Sequence, residues 1–377
     1  MPESDRPIAV GVDLRALVGT PTGIGFYTLA MLERLARRDD LHLVGLSHRE
    51  PEYADHLRAA GVSIEVRPAP SGVVWQQVLV PRRLRLGDLD VFWSPLLTLP
   101  LDLPLPAVTT VHDLTPLLHP ETHRFKVRWS IRPFLARSVA SAAVVVTDAE
   151  ATADDLRRYY PECAQRLEVI HPGVDPMFRR GDTDTVEQVR RDLGHPEGYL
   201  LYSGTLEPRK NLELLLDAWE AARSNDPDTL PLVLTGPAGW AKKAFFRRLE
   251  RLAGEGVSWL GRLSRGELVE VMQGARWFVY PSVYEGFGLP VVEAMACGVP
   301  PIASSVSSLP EIVGDAGHLI DPYDVGELAG LLGALHRDEA AERRLGREAE
   351  CRAARFDWET AAERLADALG RAAGRKR

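Results

Sequence analysis

Short apolar runs alternate with helix-like patterns along the whole chain of 377 residues. The runs are apolar almost without interruption, which is typical of parallel strands buried on both faces. In chain order they are IAVGVDLRAL, LHLVGLS, VSIEVRPA, VFWSP, AVTTVHD, AAVVVTD and RLEVIHPGVD, then YLLYSGTLEP, LPLVLTGP, VSWLGRL, RWFVYPS, VPPIASS and GHLIDP. We predict a strand for each run.

Helical patterns separate these strands, beginning with a helix from about Gly25 to Arg38. Strands that alternate with helices predict doubly wound α/β domains, and this pattern starts twice. We therefore expect two Rossmann-like domains, at 1–175 and 176–355, with 356–377 forming a last helix that packs back on the first domain. Ligands of such sheets bind at the carboxyl ends of the strands, so the two domains should face each other across a cleft there.

Composition narrows the function classes. The net charge of −8 disfavours a nucleic-acid partner. Cys163, Cys297 and Cys351 are scattered and odd in number, which suits a reducing cytoplasm and argues against a disulfide framework or a zinc site. The sequence DTD (182–184) follows no apolar strand, so we expect no metal site. Prolines interrupt the most apolar long run, so no transmembrane helix is expected.

A basic stretch in the first domain, Arg124–Arg137, interleaves cations with aromatic residues in RFKVRWSIRPFLAR. One interpretation is a helix with a solvated basic face. The other is a patch for the acceptor or for an anionic membrane surface, which would make the protein peripheral to the inner face of the membrane.

Two carboxylates bracket a glycine-rich turn in YEGFGLPVVEAM, where Glu285 precedes a predicted helix and Glu293 lies in its first turns. A carboxylate accepts paired hydrogen bonds from adjacent hydroxyls, and a helix N-terminus favours negative charge. The pattern fits a sugar, a phosphate and a ribose. Ordinary surface acids near a helix start remain the alternative.

EGFGLPVVEAM resembles the E-x7-E motif of the retaining glycosyltransferases of family four, which have the two-domain GT-B fold. GTLEPRKNLELLLDAW, LGRLSRGELVEVMQGARWFVYPSVYEGFG and SSLPEIVGDAG are similar to that family's C-terminal half. TGIGFYTLAMLERLA, VHD and VIHPGVD are similar to its N-terminal half. Several motifs in the same order are more specific than any one of them.

The resemblance implies roles for individual residues of the second domain. Glu285 would hold hydroxyls of the donor sugar, and Glu293 would hold the nucleotide ribose. Arg209 and Lys210 would bind the diphosphate, and they alone carry that charge because Thr205 stands where many relatives have an arginine. Backbone and side-chain contacts to the donor would come from Gly286, Phe287, Gly288 and Leu289, and those to the base from Arg262 and Leu263.

In the first domain, the resemblance implies that His112 reaches the donor sugar near the reacting carbon. A neutral imidazole there can hydrogen-bond a hydroxyl, and Asp113 would orient His112 or its loop. Gly23 and Gly25, expected in the loop after the first strand, would let the backbone approach the diphosphate or the acceptor.

Asp13 and Arg15 stand at the end of the first strand. From that position they could contact the acceptor. A structural ion pair is equally consistent with the sequence.

The expected reaction is transfer of a hexose from a nucleotide diphosphate sugar to a hydroxyl of a saccharide, glycolipid or natural product, with retention at the anomeric carbon. GDP-mannose is favoured over a UDP-sugar, and no metal or other cofactor is expected. The alternatives are an inactive sugar-nucleotide-binding protein with this fold, or an epimerase or phosphorylase.

Overall fold

A computed structural model describes residues 6–20, 22–122 and 125–374, and the side chains of 122–132 lie outside the description. Within these ranges, no helix combines the length and apolar character needed to cross a membrane.

The chain forms two compact units. Unit 1 consists of Met1–Gly173 and Asp357–Arg377, and unit 2 consists of Val174–Phe356. Unit 2 is therefore inserted into unit 1. The predicted domain limits were 175 and 355, whereas the chain changes unit after Gly173 and again after Phe356.

Unit 1 contains a parallel sheet of seven strands in the order β3-β2-β1-β4-β5-β6-β7. The strands are β1 (Ile8–Asp13), β2 (Leu41–Ser47), β3 (Ser63–Val66), β4 (Val91–Ser94), β5 (Ala107–Val111), β6 (Val144–Thr147) and β7 (Leu167–Val169). The helices before the first crossing are α1 (Gly23–Leu35), α2 (Ala54–Ala59), α3 (Gly72–Val74), α4 (Val80–Leu84), α5 (Thr115–Leu118), α6 (Phe125–Ser141) and α7 (Glu150–Tyr159).

Unit 2 contains a second parallel sheet of six strands in the order β10-β9-β8-β11-β12-β13. The strands are β8 (Leu200–Ser203), β9 (Leu232–Thr235), β10 (Val257–Trp259), β11 (Trp277–Tyr280), β12 (Pro301–Ser304) and β13 (His318–Ile320). The helices are α8 (Thr183–Asp192), α9 (Leu212–Asn225), α10 (Lys243–Leu252), α11 (Arg265–Gly274), α12 (Leu289–Ala296), α13 (Leu309–Val313), α14 (Val325–Ala334) and α15 (Glu339–Ala353).

The predicted α/β class is confirmed, and each predicted strand lies where its apolar run is. All residues of β1, β4, β5, β6, β8, β9, β11 and β12 are buried, which explains why these runs do not alternate with polar residues. The start of the first helix was wrong. Thr22 is the N-cap of α1, so Gly23 and Gly25 lie in its first turn and not in a loop before it.

The two C-terminal helices belong to different units. In unit 2, α15 packs against α12. The last helix, α16 (Trp358–Ala372), belongs to unit 1 and packs against α1, β4 and β5. Its inner side is apolar, with Leu365 and Leu369 fully buried. Its first residue, Trp358, packs edge-on against Tyr27 with the ring centroids 5.8 Å apart. Burial of this face holds α16 on unit 1.

Gly173 allows α16 to begin where it does. A Cβ atom at this position would lie 2.2 Å from the backbone nitrogen of Trp358 and 2.5 Å from its Cγ. The obstacle is partly backbone, which cannot rotate away as a flexible side chain could.

We therefore expect Gly173→Ala to destabilise unit 1 by roughly 1–3 kcal/mol, the usual cost of overpacking. Gly330→Ala is the matched control, because Gly330 is exposed inside α14 and has no atom within 4 Å of the added methyl group. Its helix propensity should improve, so it should be neutral or stabilising. Urea unfolding measures both, and equal stability of the two variants would contradict this account of Gly173.

Candidate active site

Glu285 lies in the loop between β11 and α12 and forms two buried ion pairs. Its Oε1 is 2.6 Å from the Nζ of Lys210, and its Oε2 is 2.8 Å from Nη1 of Arg209. Both cations lie just after β8, which pairs directly with β11. Because the two strands are parallel neighbours, their carboxyl ends bring the loops together. The structure thus assembles three of the predicted site residues.

Two further side chains hold these cations in place. Arg209 donates from Nη2 to Oε1 of Glu207 at 2.8 Å and from Nη1 to the carbonyl oxygen of Tyr284 at 2.7 Å. The Nζ of Lys210 lies 2.5 Å from the hydroxyl of Tyr280 and 4.7 Å from the centre of its ring. No role was predicted from the sequence for Glu207 or Tyr280, although both lie within motifs that resemble the family.

The cluster fixes the charge of Glu285. Burial acts to raise the pKa of Glu285, but Arg209 and Lys210 outweigh it and hold that pKa at about 2. Burial lowers the pKa of Lys210, against the opposite pull of Glu285. Glu285 is therefore an anion at neutral pH.

Ser307 and Ser308 shape the glycine-rich loop from the adjacent β12–α13 connection. The backbone N–H of Glu285 donates to Oγ of Ser307 at 2.9 Å, and Oγ of Ser308 donates to the carbonyl oxygens of Glu285 and Phe287 at 3.1 and 2.8 Å. Gly288 ends the loop with φ of 104°, a left-handed conformation that favours glycine. The SSLPEIVGDAG motif thus supports the EGFG loop.

Glu293 lies on α12 in a different environment from Glu285. Its side chain is 13% exposed, and its Oε1 is 3.6 Å from Nη1 of Arg265. Burial raises the pKa of Glu293 to about 7; Arg265 opposes this shift, and Asp175 adds to it. Arg265 also pairs with Asp175 at 3.1 Å and lies over the ring of Phe178. Sequence reasoning missed Arg265 as the partner of Glu293.

His112 follows β5 in unit 1, and both of its ring nitrogens have partners. Nδ1 is 2.6 Å from Oδ2 of Asp148, and Nε2 is 2.9 Å from the carbonyl oxygen of Pro95. Asp113 does not orient the ring, since its Oδ1 accepts from the backbone N–H of Thr115 at 2.9 Å. Asp113 was expected to orient either His112 or its loop, and in the structure it holds the loop.

Asp13 and Arg15, at the end of β1, form a close ion pair. Oδ2 of Asp13 is 2.6 Å from Nη2 of Arg15, and the Asp13 side chain is fully buried. Arg15 also lies over the ring of Trp75, at 5.4 Å from its centre. The ion pair that the sequence allowed is therefore formed, and contact of Asp13 and Arg15 with an acceptor stays a prediction.

The remaining predicted residues differ in how accessible they are. Between β10 and α11, Arg262 is exposed and Leu263 is half-buried. In α1, Gly25 is buried, whereas a Cβ atom on Gly23 would meet no atom within 4 Å. Of the basic stretch, Arg124 and the side chains up to Arg132 lie outside the described residues, and Arg137 is exposed.

The described ranges contain one cluster of side chains that could ligate a metal ion. One group of three, Asp226, Asp228 and His336, brings ligand atoms within 4.8 Å of one another. Asp226 already pairs with Arg337, which supplies the positive charge that an ion would bring. Asp182, from the DTD sequence, is the N-cap of α8 and accepts from the backbone N–H of Thr185 at 2.8 Å.

Two family models match the chain. Glycosyltransferase Family 4 matches residues 21–178, and Glycosyl transferases group 1 matches residues 185–352. O-antigen chain mannosyltransferase B of Escherichia coli is 32% identical over 360 residues, which are 90% of this chain and 93% of that protein. A D-inositol 3-phosphate glycosyltransferase of Streptomyces bingchenggensis (strain BCW-1) is 34% identical over 248 residues, 62% of this chain and 54% of that protein.

Solved structures share the fold. Anabaena Alr3699/HepE in complex with UDP and glucose has a TM-score of 0.77 at 19% identity, over 97% of this chain and 100% of that chain. WaaG, a glycosyltransferase involved in lipopolysaccharide biosynthesis, has a TM-score of 0.74 at 17% identity, over 96% of this chain and 99% of that chain. The near-complete match to the E. coli mannosyltransferase and the two family models show that this chain belongs to family four of the glycosyltransferases and has the GT-B fold.

Proposed function

We propose that the protein transfers mannose from GDP-mannose to a hydroxyl of a growing saccharide, with retention at the anomeric carbon and without a metal ion. The observation that carries the proposal is the buried cluster of Glu285, Arg209 and Lys210 at the carboxyl end of the second sheet. The mannosyl donor is supported by the name of the E. coli relative, mannosyltransferase B.

The cluster has the capacity that such a donor needs. An ionised carboxylate offers about four acceptor positions. Glu285 uses one oxygen for each cation, so positions are left for sugar hydroxyls. The ammonium group of Lys210 has three donors, of which Tyr280 and Glu285 take one each. The third can donate to a phosphate oxygen.

The two cations would act on the leaving group. As the bond from the anomeric carbon to the diphosphate breaks, negative charge develops on the phosphate oxygen. Arg209 and Lys210 are already held in position by Glu207, Tyr280 and Glu285, so they stabilise that charge without reorganising. This is the task that a metal ion performs in many other transferases.

Retention follows from which face of the sugar is attacked. Both oxygens of Glu285 are held by cations and its pKa is about 2, so it is a weak nucleophile and a poor base. We infer attack by the acceptor hydroxyl on the same face that the diphosphate leaves, with a phosphate oxygen taking the proton. The acceptor would be bound by unit 1.

Product analysis tests the activity. With GDP-mannose and mannose-containing oligosaccharide acceptors, in EDTA, we expect GDP and a mannosylated product whose new bond has the α configuration of the donor, as read by NMR. Sugar conversion without an acceptor would instead show an epimerase. A requirement for inorganic phosphate would show a phosphorylase, and β-linked product would refute retention.

Nucleotide binding tests the ribose role of Glu293. Charge-assisted hydrogen bonds contribute about 1.5–3 kcal/mol, so at pH 8, where Glu293 is mostly ionised, Glu293→Ala should weaken GDP binding by roughly 10–150-fold in calorimetric titration. Glu270→Ala is the control, because Glu270 is an exposed glutamate on α11. A loss of affinity under about twofold would argue against the ribose role of Glu293. Tighter binding of UDP than of GDP by the wild type would argue against a GDP-sugar donor.

Burial of Glu293 also predicts that its replacement stabilises the folded protein, although replacement weakens nucleotide binding. The pKa of Glu293 is raised from 4.5 to about 7 in the fold, so between these values the folded chain binds a proton that the unfolded chain releases. Stability conferred by this group is therefore lost as the pH rises through that window. Glu293→Gln should stabilise the nucleotide-free protein at pH 8, by up to about 3 kcal/mol, and change little at pH 5. Thermal unfolding at both pH values measures this, and equal shifts would contradict it.

A further inference from the structure

The surroundings of His112 determine how many protons its ring carries. A backbone carbonyl oxygen only accepts hydrogen bonds, and so does an ionised carboxylate. The ring has one of each as neighbours, with Pro95 O at 2.9 Å from Nε2 and Asp148 Oδ2 at 2.6 Å from Nδ1. Both nitrogens are therefore placed to donate, which a histidine ring does only as the imidazolium.

The negative charge of Asp148 also requires the imidazolium form of His112. Its side chain is 6% exposed, and within the described part of the chain its Oδ1 is buried without a hydrogen-bond partner. A buried carboxylate needs a nearby positive charge. The ring that contacts Asp148 is itself only 13% exposed, so water cannot easily replace it as the source of that compensation.

Packing holds the ring in this orientation. Tyr27 approaches it edge-on, with ring centroids 4.8 Å apart and planes at 82°. Oγ1 of Thr152 donates to the backbone carbonyl oxygen of His112 at 3.4 Å. A ring rotation would separate both nitrogens from their acceptors and disturb this packing.

We propose that Asp148 is a positioning residue that keeps His112 doubly protonated, so that His112 places a fixed positive charge at the carboxyl end of the first sheet. Its use in catalysis rests on the proposed function. The neutral imidazole considered from the sequence is then the wrong state. An imidazolium has no free lone pair, so His112 cannot be a general base. Because Pro95 and Asp148 take both ring N–H groups, its effect on an oxygen that gains negative charge would be through its field alone, reduced by the charge of Asp148.

The ionisable neighbours agree with this assignment. Burial lowers the pKa of His112, but Asp148, the carbonyl oxygen of Pro95 and Asp113 together outweigh it, so the pKa is raised overall. Tyr27, the other titratable group packed on the ring, has its pKa raised by burial and by Asp148. Tyr27 is thus neutral and leaves His112 and Asp148 as the charged pair.

Nitrogen-15 NMR of the histidine rings tests the protonation directly, on the full chain without substrate. Wild type should show two ring N–H groups for His112 at pH 7.5, assigned by their loss in His112→Gln. In Asp148→Asn, the second proton should be lost at a pH roughly 1–3 units lower. Glu150→Gln is the matched control, since Glu150 is a nearby exposed acid that pairs with Arg157, and it should leave the ring unchanged.

A single ring proton in wild type at pH 7.5 would overturn the proposal, and this result needs no variant to fold. An unchanged titration in Asp148→Asn would overturn the role of Asp148. The pH profile of kcat supplies the second readout: activity should fall at a lower pH in Asp148→Asn than in wild type, with KM little changed. If no donor supports transfer, the proposed function fails while the NMR result still decides the protonation.

Discussion

The ion pairs of Glu285 with Arg209 and Lys210 are the constraint on which the second unit's site depends. Removing three charges from water is costly, and each is compensated only while its partners stay in place. Neighbouring parallel strands supply the two loops, and Ser307 and Ser308 fix the glycine-rich loop from a third. Any parallel sheet brings the loops after neighbouring strands close together. The ion pairs additionally fix the positions of the hydrogen-bond donors and acceptors in these loops.

Two glutamates of one short motif have opposite electrostatic environments. Cations beside Glu285 hold its pKa at about 2, whereas burial raises that of Glu293 to about 7. Spacing along the chain could not distinguish them. The difference comes from Arg209 and Lys210 in one case and from the more distant Arg265 in the other. One carboxylate is preorganised as an anion, and the other changes its protonation near neutral pH.

The strands could be predicted because parallel strands buried on both faces must be apolar throughout, and that is a local property of sequence. Glu285, Arg209 and Lys210 could be predicted because their motifs follow strands that pair directly. The partner of His112 was not predicted, since Asp148 lies 36 residues away, directly after β6, and no family motif was matched to it. The start of α1 was missed because Gly23 and Gly25 have low helix propensity and were therefore expected in a loop, whereas the helix begins directly after Thr22.

The insertion of unit 2 into unit 1 has a consequence for biosynthesis. The helix that covers α1, β4 and β5 is the last element of the described chain to leave the ribosome. A nascent chain therefore completes the continuous second unit first, while the earlier one still exposes the apolar surface that α16 will cover. Domains generally fold as units during synthesis. In this protein, translation of unit 1 begins first, but unit 2 is the first to be complete. Until α16 has emerged and docked, that uncovered surface is a place where chaperones can bind.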